Sequence, residues 1–265
     1  MRNTSRKWLG GLVVGLCIAL MAFPVLFVLI HSFGQDSGTV LLPEAWTLEN
    51  WKEVLLYQPG YLTKFWISLG GCSVITAGQL LVSILGGFAF AKYRFPGKSV
   101  LYFLLMVLMM MPVQVTLVPN YIVLNALHLL GTWGALILPA MFLPFGTVFL
   151  TQIIRAIPNE VLEAARLDGA GTGRILVHIV SPMAKGGLSC LTVLTFVDAW
   201  NMVEQPMTFL SRPEQYPLSV FLAAVQPESA GTSFACSILA LLPVTLLYLY
   251  YRQELIEGLV FMGVK

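Results

Sequence analysis

The chain has 265 residues, of which 57% are hydrophobic and 11% charged, with a formal net charge of +2 and a mean hydropathy of +0.81. Ordinary soluble domains carry about a quarter charged residues, so this composition excludes a water-soluble globule and points to a chain solvated by lipid. No basic stripe with interleaved aromatics marks a nucleic-acid surface.

A membrane-spanning helix needs about 20 mostly apolar residues, and six runs qualify: 8–31, 66–90, 100–119, 132–153, 186–203 and 234–251. The expected fold class is therefore all-α, a polytopic membrane protein with six transmembrane helices. The first run is too long for the 7–15-residue core of a cleaved signal and is read as a permanent helix. It contains Gly11 and Gly15 in a GxxxG spacing suited to close helix packing. A mildly acidic loop follows, about 32–65, with Asp36, Glu44, Glu49 and Glu53, and Trp46, Trp51 and Trp66 suit a membrane interface. The organisation expected is a first helix and outer loop over 1–65, a five-helix core over 66–258, and a tail over 259–265.

The second run carries Gly86 and Gly87, and "AKYRFPGKS" after it reads as a short basic turn. Proline recurs within the apolar runs, at Pro24, Pro112, Pro139, Pro144 and Pro243. Each frees a carbonyl that bundle neighbours must satisfy. After the fifth run, "YPLSVFLAAV" is apolar but too short to span, so it is expected to pack on protein. Six spans place both termini on one side. With that side inside, Arg2, Arg6, Lys7, Lys92, Arg94, Lys98, Arg155, Arg166, Arg174, Lys185, Arg252 and Lys265 are cytoplasmic, and Lys52, Lys64 and Arg212 are outside. That asymmetry follows the positive-inside rule.

Cys17, Cys72, Cys190 and Cys236 form no CxxC pair and lie in predicted helices, so thiols buried in lipid or in packing are expected. His31, His128 and His178 are scattered, and no metal-site spacing occurs.

Between the fourth and fifth runs, inside residues 154–185, stands a charged island, "NEVLEAARLDGAGTGR". Ile157-Pro158-Asn159-Glu160 reads as a helix start. Glu163 and Arg166 share a face, and Val161, Leu162 and Ala165 give an apolar side. Gly169 is placed to end the helix in a left-handed conformation, and Thr172 to cap a second short helix. Such a helix–turn–helix either solvates its own loop or docks a cytoplasmic partner.

"EAARLDGAGTGRILVHIVSP" resembles the EAA loop of ABC-importer permeases. Glu163-Ala164-Ala165 is followed by Gly169 and then by Ile179-Val180-Ser181-Pro182 at the family's spacing, with Ser181 where that pattern has Leu. "PFGTVFLTQIIRAIPNEVLEAARLDGA", "FVDAWN" and the tail "EGLVFMGVK" resemble the carbohydrate-importer, maltose-permease-like subgroup. The resemblance implies a MetI-like permease fold and a bacterial-type inner-membrane location. It also implies a second homologous permease, two ATPase subunits and an extracytoplasmic solute-binding protein. ATP and Mg would be bound by the partner ATPase and none by this chain, which has no GxxxxGK[ST] phosphate loop. The chain would then be a transport subunit and not an enzyme. Glu160, Glu163, Ala164, Ala165, Arg166, Asp168 and Gly169 would couple it to the ATPase.

Intramembrane charge is costly and usually faces a cavity. Asp198 lies thirteen residues beyond Lys185, about 20 Å at 1.5 Å per helical residue, and is expected to share one helical face with Asn201 and Gln205. A carboxylate and amides bind hydroxyls, and Trp200 offers a ring to a sugar face. Contact between helices, or exposure at the outer surface, is the other reading of Asp198. Gln114, Asn120, Tyr121, Phe142 and Phe145 are further cavity candidates. The alternative function is an ion-coupled secondary transporter. Against it, no inverted repeat is evident, and it leaves the island unexplained. An intramembrane enzyme lacks a nucleophile–base set in the sequence, and a non-transport scaffold would be separated by a transport assay.

Overall fold

The computed structural model describes residues 2–35, 41–57, 59–223 and 230–263, with side chains described over 11–35, 41–57, 60–223 and 230–256. Asp36 and Lys265, and the side chains of Arg2, Arg6 and Lys7, lie outside the described residues, as does the end of the 259–265 tail. Among the described residues the structure is helical, with one isolated antiparallel bridge, Gly34–Trp46.

Four helices are long and apolar enough to cross a membrane: Gly11–His31, Gly60–Lys92, Gly134–Arg155 and Ala230–Ile256. Two bent pairs bring the number to six if each counts as one span. In chain order the helices are α1 (Arg2–His31), α2 (Glu49–Lys52), α3 (Pro59–Lys92), α4 (Lys98–Met109), α5 (Val113–Ala126), α6 (Gly134–Met141) and α7 (Pro144–Arg155). They continue as α8 (Asn159–Leu167), α9 (Thr172–Ile175), α10 (Ser181–Met183), α11 (Lys185–Trp200), α12 (Glu204–Phe209), α13 (Leu218–Ala223) and α14 (Ala230–Gly263).

Two of the six expected spans are bent or broken. The run 100–119 is broken at Met110–Pro112, and α4 and α5 meet at 109°. Pro112 lacks an N–H, and its ring disfavours the helical conformation at Met111. The run 186–203 ends early: α11 stops at Trp200, and 172–183 meets it at 82° across Ala184. By contrast, Pro24, Pro139 and Pro243 lie inside helices.

The described residues form two compact units. The first comprises Met1–Phe65 and Phe221–Leu242. In it, the Asn50 amide donates to the carbonyls of Ser32 and Gly34 at 3.1 and 2.7 Å. Tyr61 Oη donates to the Cys236 carbonyl at 2.8 Å. The face of α1 around Gly11 and Gly15 has nothing within 4 Å of either glycine's Cβ position.

The second unit comprises Trp66–Val220 and Pro243–Lys265. Here α3 and α7 approach backbone to backbone. A Cβ on Gly87 would lie 3.0 Å from Leu150 Cβ and 3.1 Å from the Thr151 nitrogen. Small residues permit such packing where lipid gives no hydrophobic drive. One hydrophobic core cluster joins Phe88 of α3, Leu150 and Ile154 of α7, Leu162 of α8, Ile175 of α9 and Leu191 of α11. A second cluster joins Leu124 of α5, Ala135 and Leu136 of α6, and Phe209 and Leu210. Residues 204–210 of the expected outer loop therefore pack on protein. Leu218 and Val220 of α13, in the apolar stretch too short to span, are also buried.

Candidate functional site

The charged island folds as a helix, a glycine turn and a second helix, and Leu162 and Ile175 seat the two helices on the core cluster that contains Phe88. Pro158 is extended at the N-cap of α8, Glu160 lies in its first turn and Arg166 in its last. Both charges suit the helix dipole. At the far end, Gly169 has φ +80. Its N–H donates to the Arg166 carbonyl at 3.0 Å, and the Ala170 N–H to the Ala165 carbonyl at 2.9 Å. This pair of bonds is a Schellman motif, which needs a left-handed residue at the position of Gly169.

Thr172 does not cap α9. Gly171 holds the N-cap position, and no side chain caps it. Thr172 begins the helix instead, and its Oγ1 pairs with Tyr93 Oη at 3.2 Å. A π-helical turn, Leu176–Val180, links α9 to α10, and the Ser181 hydroxyl donates to the Leu176 carbonyl at 2.8 Å. Ser181, where the family pattern has Leu, thus satisfies a carbonyl of the widened turn.

The inner face of the island is anchored by Leu162, 2% exposed, with Ile157 and Ile175 beside it. Ala165 is half-buried against the same core. Val161 departs from the expected apolar side and is exposed. Glu160, Glu163, Ala164, Arg166, Asp168 and Gly169 are exposed. Leu167 beside them is 89% exposed. Among the described residues none of these four charged side chains forms a salt bridge, Glu163 and Arg166 included. The island therefore presents unpaired charge and one bare leucine on a rigid base.

Several groups holding that base gave no sequence signal. The Lys92 ammonium donates to the Ile157 carbonyl and to Asn159 Oδ1, the latter at 3.0 Å. The Arg155 guanidinium lies 4.7 Å from the centre of the Tyr102 ring, and the Gln152 amide donates to Tyr102 Oη at 2.9 Å. These contacts join residues far apart in the chain, and no local periodicity announces them.

The cavity candidates make the following contacts. Asp198 is exposed on α11. Asn201 follows the end of that helix and donates back to the Val197 carbonyl at 2.9 Å. Gln205 belongs to α12, so the expected stripe of Asp198, Asn201 and Gln205 on one helical face is corrected. Trp200 is 7% exposed and stacks on Phe196 with ring centres 5.7 Å apart, so it presents no open ring face. The Gln114 amide donates to both oxygens of Glu204, at 2.9 and 3.0 Å. Asn120 is half-buried, and Tyr121 and Phe142 are exposed. Phe145 is exposed and stacks on Phe149. Among the described residues no His, Cys, Asp and Glu group could hold a metal ion.

Residues 80–253 match the family described as "Binding-protein-dependent transport system inner membrane component". The chain is 29% identical to the arabinooligosaccharides transport system permease protein AraQ of Halalkalibacterium halodurans, over 100% of this chain and 99% of that one. It is 29% identical to the diacetylchitobiose uptake system permease protein NgcG of Streptomyces coelicolor, over 89% and 82%. It is 28% identical to the sn-glycerol-3-phosphate transport system permease protein UgpE of Salmonella typhi, over 92% of each. Among solved structures, a chain of a bacterial ABC transporter involved in the import of the acidic polysaccharide alginate superposes with a TM-score of 0.85 at 20% identity. The superposition covers 96% of this chain and 98% of that chain. A second structure, of the alginate ABC transporter with an alginate pentasaccharide-bound periplasmic protein, gives 0.66 at 15% identity over 94% of each chain. At these identities the likeness shows the fold, an all-α membrane permease fold. Taken with the spans and the seated island, the family match means that this chain belongs to the inner membrane components of binding-protein-dependent transport systems, a multi-pass transport protein and not an enzyme.

Proposed function

We propose that this chain is a permease subunit of an ATP-driven ABC importer for a sugar or oligosaccharide. In this reading the island docks on a separate ATPase subunit and carries its motion into the spans. The observation that carries it is the two-faced island: Leu162 and Ile175 fix it to the core while Glu160, Glu163, Arg166, Asp168 and Leu167 stay bare. Bare charges on a rigid helix suit charge-assisted contacts to a complementary surface.

The assembly proposed is this chain, a second homologous permease, two ATPase subunits holding ATP and Mg, and an extracytoplasmic solute-binding protein. Both termini and the island face the cytoplasm, as the basic residues at Arg94, Lys98, Arg155, Arg174 and Arg252 suggest. The relatives that carry oligosaccharide names support the substrate class. Asp198, with Gln114 and Glu204, is assigned to the permeation path, and Trp200 to its support.

The test is co-purification and uptake from the intact membrane complex, with arabino-oligosaccharide, diacetylchitobiose and sn-glycerol-3-phosphate as the probe panel. ATP-dependent uptake of one probe, an ATPase at stoichiometric level, and loss of both in Glu163→Lys and Gly169→Asp are the expected results. Normal uptake by both variants overturns the coupling assignment. Uptake driven by an ion gradient without ATP establishes the secondary-transporter alternative.

A further inference from the structure

We infer that Lys92 and Tyr93, adjacent residues at the end of α3, are positioning residues that fasten both flanks of the island to α3 and pass its displacement into that helix. The inference rests on the coupling role proposed above and names the helix through which coupling first travels.

The island is covalently continuous with α7 and α11, yet both connections are broken. α7 ends at Arg155, and Pro158 turns the chain before α8 begins. On the other side the chain bends by 82° across Ala184. A push on the island can be absorbed at either joint. α3 is not in sequence contact with the island, but it grips it at both ends. At the entry, Lys92 holds the Ile157 carbonyl and the Asn159 side chain. That carbonyl precedes the helix and needs a partner from elsewhere. At the exit, Tyr93 Oη meets Thr172 Oγ1. Tyr93 is itself braced edge-on against Phe88, 5.6 Å between ring centres, and Phe88 lies in the core under the island with Leu162 and Ile175.

The receiving element is suited to carry displacement. The candidate span Gly60–Lys92 is one uninterrupted helix of 33 residues. Coupling between distant sites requires a rigid element biased by both. Two attachments thirteen residues apart restrain rotation as well as translation of the island, which a single attachment would not.

The experiment uses the complete transporter, with its own ATPase and binding protein, in proteoliposomes. It compares Lys92→Met/Tyr93→Phe with wild type and with Lys92→Arg, and uses the panel probe that wild type transports. The expected result is an intact complex that still hydrolyses ATP while uptake per ATP falls about fivefold or more, the lower end of measured site-to-site couplings. Lys92→Arg, which keeps a cation and several donors, recovers most of the ratio. An unchanged ratio in the double variant overturns the inference. So does loss of the ATPase from the complex, because the two residues would then only shape the docking surface. Glu163→Lys run in parallel separates the two failures. If it is defective while the double variant is normal, only the role of α3 falls. If it too transports normally, the coupling assignment falls with it.

Discussion

Lys185 Nζ lies 2.8 Å from Glu254 Oε1, tying the first residue of α11 to α14. A lysine at a helix N-terminus opposes the dipole, and the carboxylate offsets that. The other oxygen of Glu254 is buried without a partner. Removing the cation therefore leaves a poorly solvated carboxylate, whereas removing the charge from Glu254 leaves a lysine that is already exposed to water. Lys185→Met is expected to lower the melting temperature of the purified protein more than Glu254→Gln. The double variant should regain part of the loss. A Lys185→Met protein as stable as Glu254→Gln would remove the pair from any structural account.

Gly169 tests the turn alone, because nothing lies within 4 Å of where its Cβ would be. The cost of a side chain there is purely conformational, about 1–2 kcal/mol for a left-handed residue other than glycine. Asparagine tolerates that region better than alanine, and a β-branched residue worse. The expected order of retained uptake is Gly169→Asn, then Gly169→Ala, then Gly169→Val, with the ATPase progressively lost from pull-downs. Equal behaviour of all three would show that the turn's geometry is not what the partner reads.

Most of this architecture is legible in the chain because lipid is a demanding solvent. The apolar runs had to be helices, and charge could collect only where water is. The island stood out for that reason, and Gly169 within it is where the left-handed residue falls. Position along a helix was less legible than its existence. Asp198, Asn201 and Gln205 have the right spacing for a shared face, but the helix ends at Trp200. Asn201 there bonds back to Val197, the local competition that short polar side chains offer the backbone. The 109° bend before α5 had its signal in Pro112, but Pro24, Pro139 and Pro243 carry the same signal and lie inside helices. Lys92 on Asn159 had no signal at all, since 67 residues separate them.

The contact of α3 with α7 leaves little room for a methyl group on Gly87. Its Cβ would press on Leu150 Cβ and on the Thr151 backbone nitrogen. The second is backbone and cannot rotate away, so it must give by a few tenths of an ångström. Overpacking of this kind costs about 1–3 kcal/mol. Gly87→Ala is expected to lower thermal stability, with Gly87→Val failing to accumulate in the membrane. Gly11→Ala, at an open position on α1, serves as the control for helix propensity. Equal stability of Gly87→Ala and wild type would refute the close approach.

Asp198 and Trp200 lie two residues apart and should fail differently. Trp200 is buried against Phe196, so Trp200→Ala leaves a large void, worth about 3–5 kcal/mol by analogy with other core aromatics. Asp198 is exposed, so Asp198→Asn should leave thermal stability unchanged while altering the KM for the transported probe. Unchanged uptake kinetics in Asp198→Asn would take it out of the permeation path. A fully stable Trp200→Ala with altered specificity would instead return the tryptophan to direct contact with sugar.

Gln114 and Glu204 offer a swap. The amide at the start of α5 donates to both oxygens of the carboxylate that begins α12. Gln114→Glu places two carboxylates where one charge was accommodated, and like charges at hydrogen-bond distance repel. That variant is expected to lose uptake. Gln114→Glu/Glu204→Gln exchanges the two groups and keeps one amide and one carboxylate in contact. Restored uptake in the double variant, read as a mutant cycle, would assign the pair a role in holding α5 to α12. A double variant as poor as Gln114→Glu, with both proteins equally stable, would mean that the position of the negative charge matters in itself, and would place Glu204 on the substrate path.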